Sequence, residues 1–498
     1  MNNVIQIDGG LYFASTYLNA EKYINEWPRY TPGKDGAVLE CITIINATNL
    51  TITSASEYGT LNGAGDKWWG IPGVGYLVRE ENRPRMLVVD TSTNVLLEKI
   101  SFLQSPYWTV LFNQVINLEV RHSKIDNRRD DFDGHDPLDV TAFNTDGFDM
   151  STCDNVWIHD SSVWNQDDCF DVKDNTKNVV IERVNASGVG LTIGSISSYV
   201  NNVTFRDSYM HNTAKGIYLK FRGGGLVSNV LYENIVMDAP EQFAIWIGPA
   251  QQCDGCSATN LCSTDGGPCS LCWPFVPGTQ CNAPAGGQYT NITLKDITIN
   301  SPKQSAGVIL ANDTSPMKNV VFENVVVNNP ASNPFGKDQY YCKNVEGVAT
   351  GTTNPVPPCF KDMTDRRLLA DSLSMTPEAS LVAPFKERYG YRFNEPVHTA
   401  SNESVPFKCM KEAEAEISCE GVVCNGRPKA CVKVSNSYTR LPAGAEDCEA
   451  WVQEPKCDTL PNVVTRRCHM DVAGKYSDLL SIDKPLSTAL VEELMNQC

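Results

Sequence analysis

The chain has 498 residues, with 41 Lys plus Arg against 59 Asp plus Glu, a net charge of −18. Hydrophobic residues make up 42 % and charged residues 20 %, the balance of a folded protein and not of a disordered one. This acidity excludes a broad nucleic-acid-binding face and electrostatic attachment to an anionic membrane, and no run reaches the ~18 apolar residues of a membrane-spanning helix.

Residues 1–10 lack the basic start and apolar run of a secretory leader. The cysteines described below nevertheless point outside the cell, so the expectation is a secreted protein whose signal peptide is not present in this chain. The middle of the chain carries an internal repeat. Units opening on Asn94, Asn117, Asn155, Asn178, Asn202, Asn229, Asn291 and Asn319 share one pattern: Asn, apolar, variable, apolar, a polar pair, then usually another apolar residue. Successive asparagines are 23, 38, 23, 24, 27, 62 and 28 residues apart. The alternation is that of a strand with one side chain in two facing a core. A period near 24 residues means a solenoid. The β-branched choices and the absence of a helical period predict a parallel β-helix, and a leucine-rich repeat is disfavoured. The fold class is therefore all-β, with each coil burying its apolar face only by stacking on its neighbours. The repeated asparagines are expected to form a ladder along the stack.

Two gaps in the repeat read as insertions: the charged residues 128–143 and a cysteine-rich segment at about 250–285. The repeat fades after about residue 330, and a short helix is predicted within 371–387, interrupted by Pro377 and Pro384. The expected domains are a β-helix over 1–390 and a small cysteine-rich C-terminal module over 391–498, helical near 487–496. Of 19 cysteines, six (Cys253, Cys256, Cys262, Cys269, Cys272 and Cys281) fall within 29 residues, and eight more lie from Cys409 to Cys498. Disulfides are the first reading of so many pairable thiols; Cys253-x2-Cys256 and Cys269-x2-Cys272 keep zinc as the rival. The odd count leaves at least one thiol unpaired or joined to another chain. Asn-x-Ser/Thr sequons open at Asn46, Asn49, Asn185, Asn202, Asn291, Asn312 and Asn402 and agree with a secreted glycoprotein.

Two acidic segments sit inside the repeat, Asn144-Thr-Asp-Gly-Phe-Asp149 and Asn165-Gln-Asp-Asp-Cys-Phe-Asp-Val-Lys173. Asp146 and Asp167 are 21 residues apart, close to one coil, and residues one coil apart stack about 4.8 Å from each other. Asp146, Asp167 and Asp168 are thus expected on one surface, where mutual repulsion raises at least one pKa. Such a set suits glycoside cleavage: one acid protonates the leaving oxygen and another carboxylate activates water. A calcium site or solvated turn acids are the plainer alternatives.

At these residues the sequence resembles the polygalacturonases, glycoside hydrolase family 28. The family pattern of Asn-Thr-Asp-Gly and Asp-Asp-Cys stands as Asn144-Thr145-Asp146-Gly147 and Gln166-Asp167-Asp168-Cys169. Its Gly-His-Gly followed by Gly-Ser aligns with Gly188-Val189-Gly190 and Gly194-Ser195, and its Arg-x-Lys with Tyr218-Leu219-Lys220. Gly63-Ala-Gly-Asp-Lys-Trp68-Trp69, Arg83-Pro84 and Ser105-Pro106-Tyr107-Trp108 also resemble the family, and the likeness spans roughly residues 40–330. The resemblance implies a right-handed β-helix and hydrolysis of pectin with inversion. It makes Asp167 the general acid, with Asp146 and Asp168 activating water. Lys220, Tyr218, Asn144 and Gln166 are the implied substrate-binding residues, Lys220 meeting a uronate carboxylate. Lys173 and Arg222 would add to a local positive field. No cofactor or metal is implied, and a monomer acting on a pectin-like polysaccharide is expected.

Three departures stand out. The family's histidine is Val189, its arginine is Tyr218, and Asp171 adds an acid where a small residue is usual. The cysteine expected to pair with Cys169 is also missing, which makes Cys169 the candidate odd thiol. A β-helix that binds polysaccharide without turnover is therefore the alternative to the hydrolase. A lyase using Lys220 as base is the third reading, disfavoured by the ordered motifs.

Overall fold

The computed structural model describes residues 3–13, 27–30, 38–56, 58–70, 83–128, 141–250 and 283–364, together with the backbone of 417–420 and 430–433. The repeat folds as a parallel β-helix, right-handed as parallel crossovers are. One face is a 10-stranded parallel sheet running from Ile42–Ile45 through Leu87–Asp90, Val110–Asn113, Phe148–Ser151, Asp168–Val172, Gly190–Ile196, Ile217–Phe221, Ile245–Pro249 and Gly307–Leu310 to Tyr340–Lys343. Eighteen further strands join in a second sheet that forms the rest of the coil wall.

The period-2 alternation explains the core. In the 10-stranded sheet Val110, Phe148, Phe170, Leu191, Ile217 and Ile245 pair in one inward column, all fully buried. The Phe148 and Phe170 rings stack at 5.6 Å. The intervening residues Asp149, Asp171, Thr192, Tyr218, Trp246 and Val308 pair in an outward column. The repeat thus aligns chemically unlike residues on the outside while keeping the inside uniform.

The asparagine ladder forms. Asn94 Nδ2 donates to Asn49 Oδ1, Asn117 to Asn94 and Asn155 to Asn117, at 2.8–2.9 Å. Further along, Asn202 donates to Asn178, Asn291 to Asn229 and Asn319 to Asn291, each at 2.9 Å. Each repeat asparagine sits at φ between 55° and 63°, a left-handed bend that asparagine tolerates. One residue type therefore both turns the chain and ties adjacent turns together. The ladder uses the side-chain amides of three sequons, Asn49, Asn202 and Asn291, and Asn312 donates to Ala283 O at 2.8 Å. Asn46 and Asn185 are exposed. When the chain is secreted from a eukaryotic host, glycan on the folded product is expected at Asn46 and Asn185 and not at Asn202 or Asn291. Site-resolved peptide mass spectrometry checks this; glycan at Asn202 or Asn291 would contradict the ladder.

The repeat continues beyond its expected fading near residue 330. Tyr340–Lys343, Val345–Thr350 and Phe360–Met363 add strands to the stack, with Asn344 at φ 59° donating to Ala311 O at 2.9 Å. These strands lack the spaced apolar signature, yet Tyr340–Lys343 pairs with Gly307–Leu310, Val345–Thr350 with Met317–Asn328, and Phe360–Met363 with Val345–Thr350, all parallel. A disulfide between Cys342 and Cys359 closes this end.

Cys41, Cys153 and Cys169 are free thiols among the described residues, in line with the missing partner of Cys169. The cysteine-rich insertion, most of the charged insertion, the 371–387 helix and the C-terminal helix lie outside the described residues. By internal contacts the chain divides into a unit of Met1–Leu381 with Asp478–Thr488 and a unit of Val382–Ser477 with Ala489–Cys498. Of the second, the described part is an antiparallel ladder of Ile417–Glu420 with Ala430–Lys433. Among the described residues no helix is long and apolar enough to cross a membrane.

Candidate active site

The candidate acids lie where turns enter the 10-stranded sheet. Asp146 immediately precedes Phe148–Ser151, and its carbonyl accepts from Thr109 N at 2.7 Å. Asp167 and Asp168 occupy the same place one coil on: Gly147 N donates to Asp168 O at 2.8 Å. Gly188 caps this turn on the following coil. A Cβ there would come within 1.9 Å of Asn165 Oδ1, so the close stacking requires glycine. Gln166 pins the preceding loop, its Oε1 accepting from Ala142 N at 2.6 Å.

The stacking brings one oxygen from each of Asp146, Asp167 and Asp168 within 4.8 Å of the other two. Asp146, Asp149 and Asp171 form a second trio of the same size. Either trio offers the oxygen donors a hard cation takes. In the second, the Lys173 ammonium fills that role, contacting Asp171 and lying 3.1 Å from Asp149 and 3.7 Å from Asp146.

The three candidate acids are not equivalent. Asp168 is buried, and both its oxygens are held: Thr192 Oγ1 donates to Oδ1 at 2.7 Å and Lys220 Nζ to Oδ2 at 2.6 Å. Burial alone would raise its pKa, but Lys220 and Lys173 outweigh burial and hold it below the usual carboxylate range. Asp167 is half-buried and accepts from two backbone donors, Asn144 N at 3.0 Å and Asp168 N at 2.9 Å. Burial and the Asp168 charge push it up to about 6. Asp146 is raised well above its ordinary value by burial, then by Asp167 and Asp149. Its Oδ1 is buried without a hydrogen-bond partner. The arrangement therefore separates a carboxylate that stays ionised, Asp168, from a proton-holding pair, Asp146 and Asp167.

The expected binding residues fall into two groups. Asn144 adjoins the acids, at φ 55°, with its Oδ1 buried and lacking a hydrogen-bond partner. Lys220 also adjoins them, through its ion pair with Asp168. Gln166 uses its carbonyl oxygen to hold the loop, while Tyr218 is buried in an apolar cluster with Phe243, Trp246, Val308 and Leu310, against which Val189 packs. Arg222 N donates to Ile196 O at 2.8 Å. Three further groups complete the site. Asp149 is a fourth, fully buried carboxylate. Trp108 lies under Lys173, 4.5 Å from ammonium to ring centre. Lys215 rests on the Tyr218 ring at 4.5 Å and donates to Gln242 Oε1 at 3.0 Å, its pKa pushed down to about 7 by burial and by Lys220. Asp149 is the one the sequence signals, since it falls on the outward phase of its strand.

Comparison with known proteins follows this geometry. Residues 33–259 match the family model described as glycosyl hydrolases family 28. An endopolygalacturonase of Emericella nidulans is 28 % identical over 329 residues, covering 64 % of this chain and 74 % of that protein. A polygalacturonase of Fusarium fujikuroi is 32 % identical, but covers 39 % of this chain and 54 % of its own length. The chain thus spans about half the length of some of the curated relatives it matches. Among solved structures, the polygalacturonase of Erwinia carotovora ssp. carotovora is 22 % identical, with a TM-score of 0.48, over 69 % of this chain and 82 % of that one.

Proposed function

We propose that the chain is a divergent member of glycosyl hydrolases family 28, whose model matches residues 33–259, and that it is a secreted, monomeric, inverting hydrolase of pectin or a related acidic polysaccharide. The observation that carries this reading is the split of charge states among Asp146, Asp167 and Asp168. Asp167 is the least buried of the three and holds a proton up to about pH 6, so it is suited to protonating the leaving glycosidic oxygen. Asp168, ionised against Lys220, takes a proton from water, and Asp146 holds that water from the other side. Lys220 keeps Asp168 ionised and presents positive charge to a uronate carboxylate.

Inversion needs room for a water between base and sugar, and most inverting enzymes separate acid and base by about 6.5–9.5 Å. Here the oxygens approach within 4.8 Å. A third carboxylate makes up the difference, because two acids together direct the water while the third faces the leaving group. Both oxygens of Asp168 are also engaged, which weakens it as a covalent nucleophile. Proton NMR of the first product is expected to display the inverted anomer; initial release of the retained anomer would refute this assignment.

Val189 and Tyr218 favour a second reading, binding without turnover, because neither can grip a carboxylate as a guanidinium does. Reducing-end release from polygalacturonate, xylogalacturonan, rhamnogalacturonan and neutral polysaccharides decides between them. Hydrolysis of one polymer by the wild type supports the enzyme. Glycan binding with no release from any bound polymer supports the binding protein.

A further inference from the structure

The second acidic trio shares Asp146 with the proposed catalytic acids, while its other two members, Asp149 and Asp171, have no role in bond cleavage. Asp149 and Asp171 are register partners in adjacent strands, stacked with their side chains on the outer face and fully buried. Two buried carboxylates directly stacked are unfavourable unless a cation or proton joins them. Lys173 supplies the cation. Its ammonium contacts Asp171, lies 3.1 Å from Asp149 and reaches Asp146 at a longer 3.7 Å. Asp171 is itself fixed from the next coil, where Gly194 N donates to its Oδ1 at 3.0 Å. The lysine is thus drawn toward Asp171, at one end of the trio, and Asp146 keeps an oxygen with no hydrogen-bond donor.

We propose that Asp171 and Lys173 are positioning residues that set the proton affinity of Asp146 and, through it, the pH range of the hydrolase. The inference rests on the proposed hydrolytic function for its consequence, but its physical content is a statement about Asp146 alone. Asp171 tethers the lysine, and the share of positive charge left to Asp146 depends on that tether. The groups facing Asp146 are Asp167 and Asp168 from the following turn and strand, Asp149 from its own strand and Lys173 beside them. Those facing Asp171 are Lys173, Asp168, Lys220 and Asp149, with Tyr232 on the interior side. Arg85 acts on Asp149 from an earlier coil. The charge of Asp171 can be removed while its backbone bond is kept, because an asparagine carbonyl still accepts from Gly194 N.

The test is a carboxyl carbon NMR titration of aspartate-labelled full-length protein, with the Asp146 signal assigned by its loss in Asp146→Asn. In Asp171→Asn the lysine turns toward Asp146, and the Asp146 midpoint is expected to fall by ~1 pH unit, a tenfold change in proton affinity. In Lys173→Met the midpoint is expected to rise, and in Lys173→Arg to stay near the wild-type value. The limb of the kcat/KM profile that reports Asp146 should follow in the same directions. If Lys173→Met does not fold, Asp171→Asn and Lys173→Arg still decide the matter. An Asp146 midpoint that is unmoved or raised in Asp171→Asn overturns the proposal. A wild type that hydrolyses nothing overturns the function instead, and leaves the titration result standing.

Discussion

Asp167→Asn is expected to lower kcat on the cleaved polymer by at least ~10³-fold, the upper range of what a positioned general acid contributes. Asparagine keeps a carbonyl to accept from Asn144 N, so the turn should survive while the proton is lost. The pH dependence has a definite sign. Asp167 must be protonated to act, and its pKa is raised to about 6 by burial and by Asp168. Activity of the wild type should therefore fall as pH rises through about 6, and that base limb should vanish with the side chain. Stability also falls as pH rises. A carboxyl group with a raised folded pKa binds its proton more tightly in the native state, so the wild type loses stability between the unfolded value near ~3.9 and the folded one. Above pH 6 the Asn variant should be the more stable of the two, by on the order of 1–2 kcal/mol after allowing for solvent screening at this half-buried group. Steady-state rates against pH and denaturant unfolding at pH 5 and 7.5 measure both effects. A variant retaining a tenth or more of wild-type activity would remove Asp167 from the acid role.

The features legible in the sequence are those written locally or at one fixed period. The asparagines announce the ladder because each one bends the chain and most bond their counterpart a coil away, Asn178 and Asn229 reaching Asp154 and Asn201 instead. Asp146 and Asp167 are legible as neighbours because their separation of 21 residues is close to the 22 that make one coil here. The charge states of the acids are not legible, since they are set by residues one and two coils away. Lys220 reaches Asp168 across 52 positions of sequence, and Thr192 across 24. The Asp149–Asp171 stack needs the register of two strands, which a one-residue shift would turn inward. The last coil escapes the pattern because Tyr340–Lys343 carries no spaced apolar signature, although its backbone pairs like the others. Val189 and Tyr218 read as losses in the sequence. In the structure they belong to an apolar cluster in which Lys215 brings an ammonium onto the Tyr218 ring.

Lys220→Met should cost stability as well as activity, because the Lys220–Asp168 pair is buried on both sides, 5 % and 2 % exposed, at 2.6 Å. Breaking a buried pair by removing one partner leaves an uncompensated charge and typically costs about 3–5 kcal/mol. The path of the lysine explains why no other residue replaces it. Its stem runs across Gly194 of the preceding coil, where a Cβ would lie 2.6 Å from the Lys220 Cγ. The pH window follows from the two shifts. The folded pKa of Asp168 is depressed, so its contribution is present above the unfolded value near ~3.9 and is lost as pH falls through the folded one. The folded pKa of Lys220 is raised by Asp168 against the effect of burial, so its contribution is full below ~10.5 and is lost as pH rises through the folded value. The deficit of the variant should thus be greatest between about pH 4 and 10 and shrink in acid, where Asp168 takes up a proton in both proteins. Without its partner Asp168 also gains a proton near neutrality and ceases to act as a base, so kcat should fall at least ~100-fold. Lys220→Arg keeps the charge and should recover most of the stability, with less of the activity, because the planar guanidinium cannot follow the same narrow path over Gly194. Denaturant unfolding at pH 3.5 and 7 and turnover at pH 5 test the whole set. A Met variant as stable as the wild type at pH 7 would mean that Asp168 does not depend on Lys220 for its charge, and the division of labour among the three acids would have to be redrawn.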